Sequence, residues 1–377
     1  MHFSPELLGI FSWITFIVLA TMALIQLVFT IFVHGAVLRK PKNEGNTSFP
    51  PVSVIIAARN ESENLLNNLP QILEQDYPNF EVVVVNHQST DDSKYILHTL
   101  KMTYSNLKVI EMERSVHQKV GKKLPLSIGI KGANYEHLVF TDADCIPTSN
   151  QWLRKMAGYF SEKKEMVLGY GPYLKRKGWL NAIIRFDTAW IGMNYLGSAR
   201  SGMPYMGVGR NLAYTKKVYQ SVDGFKSHYS VLSGDDDLFV QEAAKKKNYT
   251  VCVDADTFCY SAPKETWSEW MIQKSRHYST SPHYNVFKKW MLGIYPLSLL
   301  LLLICFVTLL FNEQFRWWGL GIFAFVVVVK WIVQGNVYLK LKEKSFIPFL
   351  PLMEIGYFLV LPYLFYSVDG KRKERWK

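Results

Sequence analysis

Residues 7–33 contain no Asp, Glu, Lys or Arg, and neither do residues 291–311. About 20 such residues suffice for a helix to cross a hydrocarbon layer of about 30 Å. Inside that layer every backbone polar group must find its partner within the segment, so these runs are constrained to be helices. A simple soluble protein is thereby excluded. The chain is 49% hydrophobic and yet 20% charged, because it joins two unlike populations of residues. Its apolar content also excludes wholesale disorder.

The first apolar run has no Lys or Arg before it and is longer than the apolar core of a secretory signal, so it reads as a retained anchor over residues 1–40. Arg39, Lys40 and Lys42 follow at once. Positive flanks favour the cytosolic side, which puts residues after about 40 in the cytosol and the first six outside. Residues 41–51, rich in turn formers, read as a linker. Towards the C-terminus, residues 291–311 form one span and residues 317–333 a second, carrying Lys330 and flanked by Trp317 and Trp318. Residues 346–368 are interrupted by Pro348, Pro351, Glu354 and Pro362. Their length favours a full crossing. Charge opposes it: with Lys340, Lys342 and Lys344 cytosolic, a crossing exports the basic tail, residues 369–377, and a re-entrant or interfacial segment avoids this. Region 291–368 thus holds two or three spans of a multi-pass membrane protein.

Lys plus Arg number 43 against 31 Asp plus Glu, a formal charge of +12. Clustered beside apolar segments, this excess suits anionic lipid head groups. No nucleic-acid motif accompanies it. Cys145, Cys252, Cys259 and Cys305 lack zinc-like pairing and imply no disulfide framework, in keeping with a reducing cytosolic face.

The polar middle alternates. Residues 52–57, 81–85, 109–110 and 137–141 read as strands, and residues 61–75, 93–101 and 124–133 as helices between them. That rhythm predicts an α/β domain, a mostly parallel sheet covered by helices, over residues 52–265. Ligands of such sheets bind past the carboxyl ends of the strands. The clusters that follow strands therefore carry the interest.

Asn60 and Glu61 follow the first strand, where an acidic helix start alone would account for them. Asp142 and Asp144 follow the fourth, spaced so that both can share a hard divalent cation such as Mg²⁺ or Mn²⁺, or divide a metal and a sugar hydroxyl; a solvated turn also uses such residues. Asp235, Asp236 and Asp237 precede a helical stretch at 239–247. Capping explains one acid there, whereas crowding raises a carboxyl pKa and makes a general base. Lys122 and Lys123 open a helix and can meet an anion. Gln273, Arg276 and His277 lie in an amphipathic stretch, residues 266–290, suited to a membrane interface, where Arg276 can also clamp a phosphate.

In order and spacing, Asn60-Glu61, Ser89-Thr90-Asp91, Gly121-Lys122-Lys123, Asp142 with Asp144, Gly234-Asp235-Asp236 and Gln273 with Arg276 resemble the membrane-bound family 2 glycosyltransferases, among them the cellulose, chitin and hyaluronan synthases. The stretch from Tyr205 to Tyr214, ending Asn211-Leu212-Ala213-Tyr214, is similar to the family's acceptor-side segment. The resemblance implies a GT-A fold, a Rossmann-like mixed sheet with helices on both faces, plus transmembrane helices. It implies an inverting transfer from a nucleotide-sugar donor to a lipid-linked or polysaccharide acceptor, with Mg²⁺ or Mn²⁺ assisting departure of the nucleotide diphosphate. Asp142 would hold the donor, Asp144 (with Asp142) the metal, and Asp236 would be the base, its site shaped by Asp235. Asn60, Glu61, Asp91, Lys122, Lys123, Gln273, Arg276 and His277 would bind substrate. Two departures stand out: Asn86-His87-Gln88 where the family carries an acid that reads the nucleotide base, and His277 where it carries Trp. The few spans make a lipid acceptor or an oligomer easier than a sugar pore. The rival reading is a catalytically inactive GT-A-like membrane subunit of a polysaccharide synthesis or export complex.

Overall fold

The computed structural model describes residues 5–40, 49–113, 121–245 and 248–369. Most of the expected linker and nearly all of the basic tail lie outside these residues. The chain divides into two compact units, one of residues 1–39 with 284–363 and the other built on residues 40–283.

The chain opens with α1 (Pro5–Phe29), which runs on through a π-helical turn at Thr30–His34 and a 3-10 turn at Gly35–Leu38. The second unit follows with β1 (Val52–Ala58), α2 (Ser62–Leu73), β2 (Phe80–His87), α3 (Ser93–Thr103), β3 (Leu107–Met112), α4 (Lys123–Gly132) and β4 (His137–Phe140). Then come β5 (Cys145–Pro147), α5 (Trp152–Ala157), β6 (Met166–Leu168), α6 (Trp179–Arg200), β7 (Leu212–Thr215) and α7 (Lys216–Gln220). α8 (Asp237–Ala243), β8 (Tyr249–Val251), β9 (Cys259–Ser261) and α9 (Trp267–Tyr278) complete it.

β1 is buried at every position, as its unbroken Val-Ser-Val-Ile-Ile-Ala-Ala run requires of a strand covered on both faces. Seven strands lie in the order β3-β2-β1-β4-β7-β6-β8. β3, β2, β1 and β4 are mutually parallel, whereas β7 runs antiparallel to both β4 and β6. The sheet is therefore mixed. Its parallel half was legible in the sequence; the short strands β6, β7 and β8 and the separate antiparallel pair β5–β9 were not. On one face Val54 and Ile56 pack with Leu65 and Leu69 of α2 and with Trp152 and Met156 of α5. On the other, α4 comes so close that a Cβ on Gly129 would stand 2.8 Å from Ile55. β1 neighbours both β2 and β4, so the chain reverses its direction of winding at the carboxyl ends of β1 and β4, where such sheets open a crevice.

In the other unit α1 is joined by α10 (Val286–Leu310), α11 (Arg316–Lys340) and α12 (Leu350–Asp369). Three helices among the described residues are long and apolar enough to cross a membrane: Gly9–Leu38, Val286–Leu310 and Arg316–Lys340. Leu19 and Ala23 pack with Leu302, Leu309 and Val326, and Phe306 stacks on Phe323 at 4.0 Å. The helices turn other large apolar side chains outward, among them Phe11, Ile17, Ile304 and Phe325.

Glu81 locks the parallel half of the sheet. Its buried carboxylate accepts from the Ser53 hydroxyl at 2.6 Å, the Asn134 amide N–H at 2.5 Å and the Asn134 side chain at 2.8 Å. Glu81→Ala strands these donors, and we expect a loss of about 1–3 kcal/mol. Urea unfolding of the purified protein measures it as a lowered midpoint.

Candidate active site

The loops after β1 and β2 are stitched to each other. Asn60 and Gln88 both adopt left-handed backbone, with φ of 52° and 56°. Few residues other than Gly accept that conformation, so the surrounding bonds must hold it. Asn60 Oδ1 accepts from the Thr90 amide at 2.8 Å, and the Asn60 amide donates to Ser89 Oγ at 2.9 Å. Asp91 accepts from the Ser62 amide at 2.9 Å and the Ser93 amide at 3.2 Å. Burial opposes ionisation of Asp91, but hydrogen bonds from Ser93 and Ser62 outweigh it and hold the carboxyl below its usual range. Glu61 accepts from Asn64 at 2.6 Å. Asn86 donates to Glu111 at 2.8 Å, and burial together with the Arg59 charge pushes the His87 imidazole down to about 4, so it is neutral.

The chemistry gathers at the ends of β4 and α4. Lys122, the residue before α4, forms an ion pair with Asp142, two residues past β4. Burial disfavours the Lys122 charge, yet Asp142, Asp235 and Asp236 together hold its pKa above the usual range. Lys122, Thr141, Gly209, Tyr214 and Asp235 line one pocket. Lys123 is turned elsewhere. Its ammonium donates to the carbonyls of His228 at 2.7 Å, Val231 at 2.6 Å and Ser233 at 2.7 Å. The expectation that it meets substrate is corrected: all three donors are engaged in fastening the loop that precedes the acids.

That loop ends at Gly234, whose φ of 97° suits only glycine and whose Cβ would stand 2.6 Å from Leu238. Asp236 then caps α8, Oδ1 accepting from the Asp237 amide at 2.8 Å and Oδ2 from the Gly209 amide at 2.9 Å. Burial, then the charges of Asp235 and Asp237, push the Asp236 carboxyl up to about 7, against the pull of those two amides. Asp237 is buried and accepts from Thr280 Oγ1 at 2.5 Å. Three adjacent acids thus have three placements: a pocket wall, a helix cap of raised pKa and a tie to the segment after α9.

Asp142, Asp144 and Cys145 bring potential ligand atoms within 4.8 Å of one another. Burial raises the Cys145 pKa, so its thiol stays protonated, and its sulfur lies 3.1 Å from Ser261 Oγ. The remaining donors are two carboxylates, the set a hard Mg²⁺ or Mn²⁺ prefers. The residues fit such an ion, Asp144 more freely than Asp142, which already faces Lys122.

α9 starts in a capping box between Thr266 and Glu269. Lys274, buried on its inner side, donates to both carboxylate oxygens of Asp187 on α6, each at 2.8 Å. Gln273 donates to Tyr173 OH at 2.9 Å, and that hydroxyl also accepts from Arg210 at 3.2 Å. Arg276 is half-buried and His277 exposed on the following turn.

The structure therefore brings Lys122, Asp142, Asp235 and Asp236 together, with Asp144 beside Asp142. Asn60, Glu61 and Asp91 order the neighbouring loops. Arg210, Tyr173 and Thr280 escaped the sequence reading as site residues. Arg210 stood inside the Tyr205–Tyr214 segment already singled out, but no local pattern marked Tyr173 or Thr280.

Residues 50–280 match the model of a family described as glycosyltransferase like family 2. The chain belongs to glycosyltransferase family 2, and its fold is GT-A. Among relatives, a stretch of 111 residues is 33% identical to the glycosyltransferase AglE of Haloferax volcanii, covering 29% of this chain and 35% of that protein. Poly-beta-1,6-N-acetyl-D-glucosamine synthase of Staphylococcus epidermidis is 33% identical over 25% of this chain and 22% of its own. Beta-monoglucosyldiacylglycerol synthase of a Nostoc species is 30% identical over 41% of this chain and 32% of its own. The matches thus span about a third or less of these relatives. In three dimensions the chain is similar to a mannosyltransferase from Pyrobaculum calidifontis, solved in complex with GDP-Man and Mn²⁺, with a TM-score of 0.52 and 18% identity over 87% of this chain and 96% of that one.

The raised Asp236 pKa has a measurable sign. The folded protein holds this proton up to about pH 7, whereas the unfolded chain releases it near 3.8. Folding stability should therefore decline between those values as pH rises, then level off. Melting temperatures across pH 4–8 should show that extra slope, and Asp236→Asn should remove it.

Proposed function

We propose that this protein is a membrane-bound inverting glycosyltransferase that moves a sugar from a nucleotide-sugar donor to a lipid-linked or polysaccharide acceptor. The observation that carries the reading is the meeting of Lys122 and Asp235 on the wall of one pocket beside the switch point of the sheet, with Asp142 paired to Lys122 and the high-pKa Asp236 held by the amide of Gly209 on the same wall. Asp236 is the base. Its pKa lies near neutral pH, where a carboxylate is both available and able to take a proton. Its two backbone donors aim the carboxylate, and Asp235 raises its basicity by like-charge repulsion. Asp142 and Lys122 hold donor hydroxyl and phosphate groups, and Arg276 and Gln273, both on α9, would meet the diphosphate.

Asp144, with Asp142, would hold Mg²⁺ or Mn²⁺, which would supply positive charge to offset that developing on a departing diphosphate. The acceptor class is supported by candidate spans at both ends of the catalytic unit and by the relatives' printed activities on a diacylglycerol lipid and on a polysaccharide. The positive-inside pattern puts the catalytic unit in the cytosol. The run Asn86-His87-Gln88, with His87 neutral, stands where the family carries its base-reading acid, so that acid's contact to the donor base is missing from this run.

Asp236→Asn should lower turnover by about 10²–10⁴-fold while donor binding survives. Asp144→Asn should instead weaken binding of the donor in the presence of Mn²⁺. Turnover of a panel of nucleotide sugars, with binding followed by calorimetry, separates the two effects. Unchanged turnover in Asp236→Asn removes the base from this residue, and no metal-dependent turnover of any donor would favour an inactive subunit.

A further inference from the structure

After Lys340 the chain turns back along α11. The Phe346 ring meets Tyr338 edge-on at 6.3 Å, Ile347 Cγ2 lies 3.4 Å from the Cβ position of Gly335, and Trp331 Nε1 donates to the Ile347 carbonyl at 2.6 Å. Those partners step backwards along α11. At 1.5 Å per residue Trp331 lies about 14 Å from the end of that helix, so α12 begins at depth rather than at a membrane surface.

α12 then retreats. Pro351 shares a cavity with Leu302, Leu303 and Phe323, Glu354 pairs with Lys330 at 2.9 Å, and the Phe358 ring lies 5.9 Å from Tyr295. Leu302 lies well inside α10, whereas Tyr295 is seven residues nearer its start. Glu354 and, one turn on, Phe358 both meet Tyr295, so α12 keeps to the half of α10 nearer the end from which the chain entered and does not run on past Leu302.

Resting on the reading of α1, α10 and α11 as spans, we infer that residues 341–363 form a re-entrant hairpin, not a further crossing, pinned at mid-depth by Lys330 and Glu354. The pin is fully knit. Lys330 also donates to Gln26 at 2.7 Å, Gln26 donates to Ser298 at 2.8 Å and to the Tyr295 carbonyl at 2.8 Å, and Tyr295 donates to Glu354. A charge on one helix within hydrocarbon demands a partner there, and the returning segment supplies it. Both charges are matched internally, which makes the cluster a fastening and not a site for an anionic ligand. The hairpin also removes the charge conflict, because unlike a crossing it does not require the basic tail to be exported away from Lys340, Lys342 and Lys344.

Two measurements on the full-length protein in intact cells test this. Single cysteines replace Gln314 in the α10–α11 turn, Ser345 in the α11–α12 turn and Lys377 in the tail, read with a membrane-impermeant maleimide before and after permeabilisation; the native cysteines are all buried. Lys377→Cys should share the accessibility of Ser345→Cys and oppose that of Gln314→Cys. Labelling together with Gln314→Cys overturns the hairpin. For the pin, Lys330→Met and Glu354→Met each leave one charge unpaired and should cut the yield of folded protein several-fold, whereas the double variant should regain most of it. A double variant no better than the worse single one overturns the pin.

Discussion

Like charges do not gather unaided. Asp142, Asp235, Asp236 and Asp237 all act on the two lysines at the start of α4, and that pair of cations is what permits the acids to stand together. Lys122 offsets them directly through Asp142. Lys123 does so through the backbone, holding three carbonyls of the loop before Gly234. One lysine faces the pocket and its neighbour faces the loop. Without both, the acids would have to take up further protons or move apart.

The sequence disclosed the parallel half of the sheet because its strands are continuous apolar runs that need no partner information to be recognised. β6, β7 and β8 are three or four residues long, and what makes them strands is pairing with segments distant in the chain. The same distinction governs the site. Asp142, Asp144 and Asp236 could be singled out because acids after strands are conspicuous. Tyr173 and Thr280 could not, since each matters only through a partner some hundred or forty residues away: Gln273 for one, Asp237 for the other. The adjacent lysines show the limit most plainly. Lys122 and Lys123 look alike in the chain, and only the course of the 228–233 loop separates their tasks.

The membrane helices carry the same lesson in a different solvent. Hydropathy revealed α1, α10 and α11, and flagged Lys330 and Glu354 as blemishes in apolar runs. Together with Gln26, Tyr295 and Ser298 they are a single connected network, each side chain bonded to at least one helix other than its own. A residue that disqualifies a span when read alone becomes, beside its counter-ion, what fixes how the helices meet.

Lys123 has one more implication. To swing away, the segment carrying Asp235 and Asp236 would have to abandon a buried ammonium with nothing to bond. It therefore behaves as masonry and not as a door, and whatever admits or releases substrate has to hinge somewhere else.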